Sequence, residues 1–203
     1  MKILLTLLIV LQVSLLANTA YYQHRVSQFE LLSFENSKSI VMLGDSITDR
    51  GLWNELTKRN DIINRGISGD TTIGVLGRLD SLNKNLKIAF VMIGVNDLLK
   101  NRSVEYVFKN YVKIISGLEE KGIKPIIQTT LHVGTLAPAI YNTKIYKLNE
   151  LLKNYAQKEK LQFIDLNKVF APNEVLLDKY SLDGLHLNGA GYMEWVKIII
   201  PYM

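Results

Sequence analysis

The chain has 203 residues, of which 48% are hydrophobic, and a formal net charge of +5. This length and composition favour one domain with a complete core. The absence of cysteine excludes a disulfide framework, a thiolate nucleophile and a zinc ribbon. Because the lysines are scattered along predicted helices and do not alternate with aromatic residues, a solvated helix surface is favoured over a nucleic-acid-binding surface.

An apolar segment opens the chain, where Lys2 precedes the almost wholly aliphatic residues 3–16. This pattern predicts a signal peptide over residues 1–20 and therefore export to the periplasm or the medium. The run is short for a membrane span of about 20 residues, but its extension to Ala20 leaves an uncleaved membrane anchor as an alternative. An apolar strand or helix is the third interpretation. The functional domain is expected over residues 21–203, with any membrane contact restricted to the amino-terminal segment.

Five short apolar segments rich in Ile, Val or Phe predict the strands of a sheet. Between them, apolar residues recur every three or four positions, as in Val104–Leu118 and Ile145–Tyr155, which indicates amphipathic helices. Continuous apolar strands separated by such helices are typical of an α/β fold, a three-layer α/β/α sandwich with a parallel sheet. The predicted strands are Ser39–Leu43, Asp61–Asn64, Ile88–Ile93, Pro125–Leu131 and Gln162–Leu166.

Four polar segments stand where this fold places functional groups. Three of them follow the first three predicted strands, so they share the carboxyl edge of the sheet, and the fourth must return to that edge by its loop. Acyl transfer requires a nucleophile, a base, a group that orients the base and donors for the oxyanion. The segments hold a candidate for each role, and they are Gly44–Ser46, Gly66–Asp70, Gly94–Asp97 and Asp183–His186.

Ser46 is the candidate nucleophile, because an apolar strand that leads into a glycine and a small hydroxyl residue puts that hydroxyl at the ligand-binding edge of the sheet. Thr48 stands where the Gly-x-Ser-x-Gly elbow has its second glycine, which disfavours the α/β-hydrolase fold. His186 is the candidate base. Asp183, three residues earlier, is the candidate group for holding its imidazole in one tautomer.

The candidate oxyanion donors are Gly69, Asn96 and the backbone N–H of Ser46. A residue without Cβ lets its N–H approach the substrate closely, and an asparagine amide donates without titrating. Gly69 could have a structural role in addition to its role as an oxyanion donor. In that reading it forms a turn before a helix that starts near Thr71 and is capped by Asp70.

Charged residues beside these motifs have simpler interpretations. Asp45 and Asp97 are predicted to brace their loops through hydrogen bonds. Arg65 and Arg78 are predicted to pair with nearby carboxylates, and a role in substrate binding is the alternative.

His132, at the end of the fourth predicted strand, is interpreted as a structural residue, a pocket wall or a second candidate base. Trp53 and Leu52 could face either substrate or core. Three isolated histidines without a His-Glu-x-x-His pattern argue against a catalytic metal. Val75 stands where a phosphate-binding loop requires lysine, so no cofactor is expected.

The four segments resemble the conserved blocks of the SGNH, or GDSL, hydrolase superfamily, and the resemblance spans nearly the whole chain after residue 20. It implies a flavodoxin-like sheet of five parallel strands in the order 2-1-3-4-5. It also implies metal-free hydrolysis of small acyl esters through an acyl-serine intermediate, with Ser46, Asp183 and His186 as the triad. The matching blocks are Gly44–Thr48, Asn64–Thr71, Gly94–Asp97 and Asp183–Leu187.

The sequence therefore favours an exported serine esterase that removes acetyl or another short acyl group from a carbohydrate or lipid. The expected partner is a small acyl-ester substrate such as an acetylated glycan or lipid. An O-acetyltransferase that uses the same triad on envelope glycans is one alternative. A noncatalytic carbohydrate-binding or envelope scaffold is another.

Overall fold

The computed structural model describes residues 20–34 and 37–203. Almost all of the predicted signal peptide or anchor, residues 1–20, therefore lies outside the described residues. The described part of the chain begins with helix α1, which spans residues 20–31. No helix in the described part of the chain is both long enough and apolar enough to cross a membrane.

The sheet has five parallel strands in the order β2-β1-β3-β4-β5, with helices packed against it. This arrangement confirms the predicted fold class and strand order. Every residue of β1 is buried, as expected for a central strand with both faces covered. The strands are β1 (Ile40–Gly44), β2 (Ile62–Gly66), β3 (Ile88–Met92), β4 (Lys124–Gln128) and β5 (Gln162–Ile164).

The register of the central strands brings the candidate site together. Gly44, the last residue of β1, lies level with Gly66 on one side and Met92 on the other. The chain therefore leaves all three strands at the same height. Consequently, the segments that follow β1, β2 and β3 meet at one edge of the sheet.

The long helices cover the sheet with the predicted apolar faces. Val107, Tyr111 and Ile114 of α6 and Leu148 of α7 have no solvent exposure. Tyr155 of α7 is only half-buried and packs edge-to-face on the ring of Phe108. The remaining helices are α2 (Ser46–Asp49), α3 (Trp53–Thr57), α4 (Thr72–Gly77), α5 (Val95–Leu99), α6 (Val104–Glu120), α7 (Ala139–Glu159), α8 (Asn167–Phe170) and α9 (Gly189–Ile199).

An aromatic cluster beneath α2 supports the candidate nucleophile. Trp53 packs edge-to-face on Trp195 of α9, with ring centroids 4.8 Å apart. Its indole N–H donates to the carbonyl of Thr48 at 2.9 Å, and the Tyr192 hydroxyl donates to the carbonyl of Ile47 at 2.7 Å. Trp53 is therefore a core residue, whereas its neighbour Leu52 is 65% exposed.

The predicted fourth strand was too long, because β4 ends at Gln128 and not at Leu131. Its neighbour β5 ends at Ile164 and supplies no further strand partner. Beyond that point, the side-chain amide of Asn149 donates to the carbonyl of Thr130 and accepts its N–H, both at 2.8 Å. A side chain thus replaces the missing strand. The other predicted ends differ from the observed ones by at most two residues.

Candidate active site

Ser46 is the first residue of α2, directly after β1, and is 6% exposed. Asp45 caps this short helix, because its Oδ1 accepts the N–H of Ile47 at 3.0 Å, as expected of a loop brace. Glycine is required at position 44, since a Cβ there would collide with the carbonyl of Met92 and the side chain of Thr48. This tight turn fixes the direction in which the Ser46 hydroxyl points.

The structure places the three candidate triad residues in one hydrogen-bonded chain. Ser46 Oγ lies 3.0 Å from Nε2 of His186, although the two residues are 140 positions apart in sequence. Nδ1 of His186 lies 2.6 Å from Oδ2 of Asp183. A serine hydroxyl within reach of an imidazole that is itself held by a carboxylate is the arrangement that general-base activation requires.

Asp183 is held in its charged form by donors. Partial burial pushes the pKa of Asp183 upward, but hydrogen bonds from the N–H groups of His186 and Leu185 and from the His186 ring outweigh it. The net result is a pKa well below the usual range of an aspartate. The carboxylate is therefore ionised at neutral pH and can stabilise a protonated imidazole.

A short loop contact positions the Asp183–His186 turn. Ser181 Oγ donates to the carbonyl of His186 at 2.7 Å and accepts the N–H of Gly184 at 2.9 Å. The N–H of Gly134, on the loop after β4, donates to the carbonyl of Gly184 at 2.6 Å. Gly184 has a φ of +73°, which favours glycine. The turn is thus fixed both from within and from the neighbouring loop.

Gly69 lies on the loop that follows β2, and Asn96 lies in the first turn of α5, which follows β3; β2 and β3 are the two strands that flank β1. One amide hydrogen of Asn96 is donated to the carbonyl of Asp70 at 2.9 Å, so α5 is joined to the loop after β2. Gly69 has a φ of +78°, and a Cβ there would meet nothing within 4 Å. Backbone conformation, and not crowding, therefore favours glycine at this position.

The expectation that Asp70 caps the helix after Gly69 is wrong. Helix α4 begins at Thr72, and its first donors are taken by Asp97, which accepts the Thr72 N–H at 2.9 Å and the Thr72 hydroxyl at 2.7 Å. Asp97 of α5 thus braces the start of α4 through hydrogen bonds. Asp70 accepts the N–H of Thr71, which precedes the helix, through Oδ1 at 2.8 Å and the Nε–H of Arg78 through Oδ2 at 2.9 Å. A long-range ion pair outweighs the local capping preference.

Arg78 connects the two halves of the site. It is 2% exposed, pairs with Asp70 as predicted, and donates from Nη2 to the carbonyl of Gly44 at 3.0 Å. Gly44 lies two residues before Ser46, and Asp70 follows Gly69 directly. One guanidinium therefore fixes the strand end that carries the candidate nucleophile relative to the loop that carries a candidate oxyanion donor.

We expect Arg78→Met to lower the free energy of unfolding by about 3 kcal/mol or more, because it leaves the buried Asp70 carboxylate without its partner. The measurement is chemical denaturation of the wild-type and variant proteins. The double variant Arg78→Met/Asp70→Asn removes both charges and should recover part of the loss. A loss below about 1 kcal/mol, the scale of a surface pair, would show that the pair contributes little.

Arg65 has no carboxylate partner among the residues that the structure describes, contrary to the expectation from sequence. Its guanidinium carbon lies 4.5 Å from the ring centroid of Phe29 on α1, and its Nη1 donates to the carbonyl of Asn64 at 3.2 Å. Burial, together with the charges of Arg78 and Arg25, lowers the pKa of Arg65 to about 10. Arg65 therefore anchors α1 through a cation–π contact.

Asn64 has a positioning role that sequence reasoning missed. Its Nδ2 lies 2.9 to 3.2 Å from the carbonyl oxygens of Thr48, Asp49 and Gly51, and its Oδ1 accepts the N–H of Gly66 at 2.8 Å. The end of α2 is thus held against β2. The only sequence signal was a polar residue next to a strand end inside a matched block.

Asp45 is fully buried without a cationic partner among its described contacts, and burial raises its pKa to about 7, with the charges of Asp70 and Asp97 adding to the shift. In the unfolded chain the same carboxyl has a pKa of about 4. Between these values the folded state holds a proton that the unfolded state has lost. The free energy of unfolding contributed by this group therefore falls as the pH rises from about 4 to about 7.

We expect Asp45→Asn to remove this contribution, because an amide keeps the acceptor oxygen for Ile47 and does not titrate. The measurement is chemical denaturation at several pH values between 4 and 7. The difference in stability between the variant and the wild type should grow in favour of the variant as the pH rises. Parallel curves would contradict the raised pKa.

His132 is not part of the triad. It is 4% exposed and lies on the loop after β4, whereas the imidazole within hydrogen-bond distance of Ser46 belongs to His186. Within residues 20–34 and 37–203, no group of three or more His, Cys, Asp or Glu residues is arranged to hold a metal ion.

The five-stranded parallel sheet and the Ser46–His186–Asp183 arrangement are typical of a serine hydrolase with an α/β fold. Residues 42–193 match the model of the GDSL-like Lipase/Acylhydrolase family, which covers most of the chain. The protein belongs to this family. The resemblance inferred from the four sequence blocks is therefore confirmed.

Two curated relatives and one solved structure illustrate the similarity. An N-acylneuraminate cytidylyltransferase from Streptococcus agalactiae is 31% identical over 83% of the chain, but the match spans only 38% of that protein's length. Platelet-activating factor acetylhydrolase IB subunit alpha2 from Rattus norvegicus is 28% identical, with 84% of the chain and 78% of the relative covered. A Streptococcus pneumonia protein provisionally described as a platelet activating factor superposes with a TM-score of 0.85 at 26% identity, covering 95% and 98% of the two chains.

Proposed function

We propose that this protein is an exported serine esterase that hydrolyses short acyl esters, acetyl esters above all, of a carbohydrate or lipid through an acyl-serine intermediate. The hydrogen-bonded chain from Ser46 through His186 to Asp183 carries the proposal. Membership of an acylhydrolase family supports it. The relative named as an acetylhydrolase supports acetyl as the acyl group.

The proposed acylation step uses the three triad residues and the oxyanion donors. Ser46 Oγ attacks the ester carbonyl carbon while Nε2 of His186 takes the hydroxyl proton. The negative charge on the carbonyl oxygen is stabilised by the N–H groups of Ser46 and Gly69 and by the Asn96 amide. The carbonyl then re-forms, the bond to the alcohol oxygen breaks, and His186 returns the proton to the departing alcohol.

Deacylation repeats these steps with water. His186 takes a proton from a water molecule, the resulting hydroxide attacks the acyl carbon, and the bond to Ser46 Oγ breaks as His186 protonates that oxygen. The position of Gly69 borders open space, since a Cβ there would meet nothing within 4 Å. Open space beside a proposed oxyanion donor gives water a path to the acyl group, and so favours hydrolysis over acetyl transfer.

The test is hydrolysis of p-nitrophenyl acetate, butyrate and octanoate by the purified protein, with the Ser46→Ala protein as the blank. We expect kcat/KM to be highest for acetate and to fall with chain length. Rates equal to the blank on all three esters would refute the esterase proposal. Quantitative appearance of an acetylated sugar when a glycan acceptor is in excess would instead establish transfer.

The export part of the proposal is supported by the apolar run after Lys2. Expression of the full chain followed by cell fractionation and amino-terminal sequencing tests it. We expect a mature protein that begins near residue 21 outside the cytoplasm. A full-length product retained in the cytoplasm would contradict export.

A further inference from the structure

A cavity of about 180 Å³ lies at the carboxyl end of β4 and β5, against one side of α7. None of the candidate triad or oxyanion residues lines it. Its volume corresponds to about six water molecules at liquid density, which is room for one small polar unit and not for an extended lipid. The cavity is therefore separate from the candidate active site, although both lie at the carboxyl edge of the sheet.

His132 is one of the residues that line this cavity. The residue is 4% exposed, and its Nδ1 has no hydrogen-bond partner within the described chain. Burial lowers the pKa of His132, although the carboxylates of Glu174 and Asp165 oppose the shift. The ring is thus neutral at pH 7. His132 therefore adds no charge to the wall of the cavity.

The charges around the cavity exclude several kinds of ligand. Three carboxylates, those of Glu150, Asp165 and Glu174, face only two ammonium groups, those of Lys153 and Lys168. This balance disfavours a phosphate, a sulfate or an acidic sugar. The density of charged groups equally disfavours a hydrocarbon chain, which would have to desolvate them. A neutral ligand that both donates and accepts hydrogen bonds remains.

Flat apolar surfaces complete the lining. Tyr146 on α7 is 45% exposed, and Phe163 and Pro172 contribute further apolar surface to the wall. An exposed tyrosine offers a ring face on which a saccharide can stack its C–H groups, with a hydroxyl at the tip for a polar contact. Sugar hydroxyls, which donate and accept, match a lining of carboxylates and ammonium groups.

One loop joins this cavity to the candidate active site. His132 lies two residues before Gly134, and Gly134 donates its N–H to Gly184, which stands between Asp183 and His186. The wall of the cavity and the turn that carries the triad are therefore held to each other. A glycan that presents an ester at Ser46 would have to pass over this loop to place a further sugar unit in the cavity.

We propose that the cavity lined by His132, Tyr146 and Glu150 binds a neutral sugar unit of the glycan whose ester is cleaved at Ser46. The inference rests on the proposed esterase function and narrows its substrate class from carbohydrate or lipid to carbohydrate. The cavity holds a sugar that is not itself attacked, and so selects oligomers over acetylated monosaccharides.

The test is isothermal titration of the full-length Ser46→Ala protein with xylotetraose, cellotetraose and chitotetraose, three neutral chains that cannot be turned over by this variant. We expect at least one to bind, and we expect Tyr146→Ala and Glu150→Gln, each added to Ser46→Ala, to raise its Kd at least tenfold. Tyr106→Ala on α6 is the matched control, because Tyr106 is 39% exposed and does not line the cavity. Its Kd should equal that of the parent protein.

The proposal is overturned if none of the three saccharides binds with a Kd below about 10 mM, or if the Tyr146 and Glu150 variants bind as tightly as the control. Hydrolysis of p-nitrophenyl acetate by the wild-type protein is measured in parallel. Hydrolysis without saccharide binding refutes the cavity proposal alone. Saccharide binding that depends on Tyr146, without hydrolysis, supports the cavity and refutes the esterase function.

Discussion

Replacing Ser46 with alanine is expected to lower kcat for p-nitrophenyl acetate by about 10⁵-fold or more, because the acyl group loses its only acceptor in the proposed mechanism. The oxyanion donors and the binding of substrate remain, so a small rate above that in water should persist. The hydroxyl contacts His186 and lies at the surface of the core. Thermal unfolding should therefore show a change of only a few degrees.

The matched control is Ser27→Ala, since Ser27 is an exposed serine on α1 whose hydroxyl bonds to the carbonyl of His24. It should retain wild-type kcat within a factor of two. If Ser46→Ala kept more than about 1% of the wild-type rate, a loss of only about 3 kcal/mol, Ser46 could not be the nucleophile.

His186→Ala is expected to have the second-largest effect, a loss of about 10⁴-fold or more in kcat/KM. Without the imidazole, Ser46 keeps its proton, and the departing alcohol has no general acid. Asp183→Asn should lose less, because the imidazole remains but its tautomer and charge are no longer fixed by a carboxylate. Measurement of kcat/KM for p-nitrophenyl acetate across the three proteins gives the expected order, wild type above Asp183→Asn above His186→Ala.

His24→Ala serves as the control for removing a histidine, because His24 is exposed on α1 and contacts only neighbouring α1 side chains among its described hydrogen bonds. It should match the wild type. Equal kcat/KM values for His186→Ala and the wild type would contradict the role of His186 as the base and would require another proton acceptor for Ser46.

The fold was predictable because its strands are continuous apolar segments and its long helices have clear apolar faces. The periodicity at Val107, Tyr111 and Ile114 needed no tertiary information, and all three are fully buried. The end of β4 was not predictable from the pattern of apolar residues. Leu131 is as apolar as a strand residue, but the backbone before it is bonded by Asn149, whose reach depends on how α7 lies against the sheet.

The candidate site was predictable as a set of residues, because each type has one chemical use in acyl transfer and three of the segments follow strands. The contacts that hold these residues in place were not predictable from the sequence. Arg78 could be assigned a carboxylate partner from sequence, but its bond to the carbonyl of Gly44 depends on where the chain that leaves α4 lies relative to the end of β1. The four bonds of Asn64 likewise exist only once α2 has folded back onto β2.

Asp70 shows how local reasoning fails at this edge. Its position before a helix predicted a cap, yet the side chain turns inward to Arg78 and leaves the first turn of α4 to Asp97, 25 residues away from Thr72. The buried ion pair between Arg78 and Asp70 outweighs a capping bond worth about 1 kcal/mol. A single sequence does not show whether such a side chain bonds to a neighbouring residue or to one far away in the chain.

The central claim is that Ser46 forms the covalent intermediate. The most direct measurement is reaction of the wild-type protein with a fluorophosphonate probe, followed by peptide mapping in a mass spectrometer. The account predicts one probe per chain, attached to the peptide that contains Ser46, with no labelling of the Ser46→Ala protein. Labelling at another residue, or equal labelling of the two proteins, would contradict it.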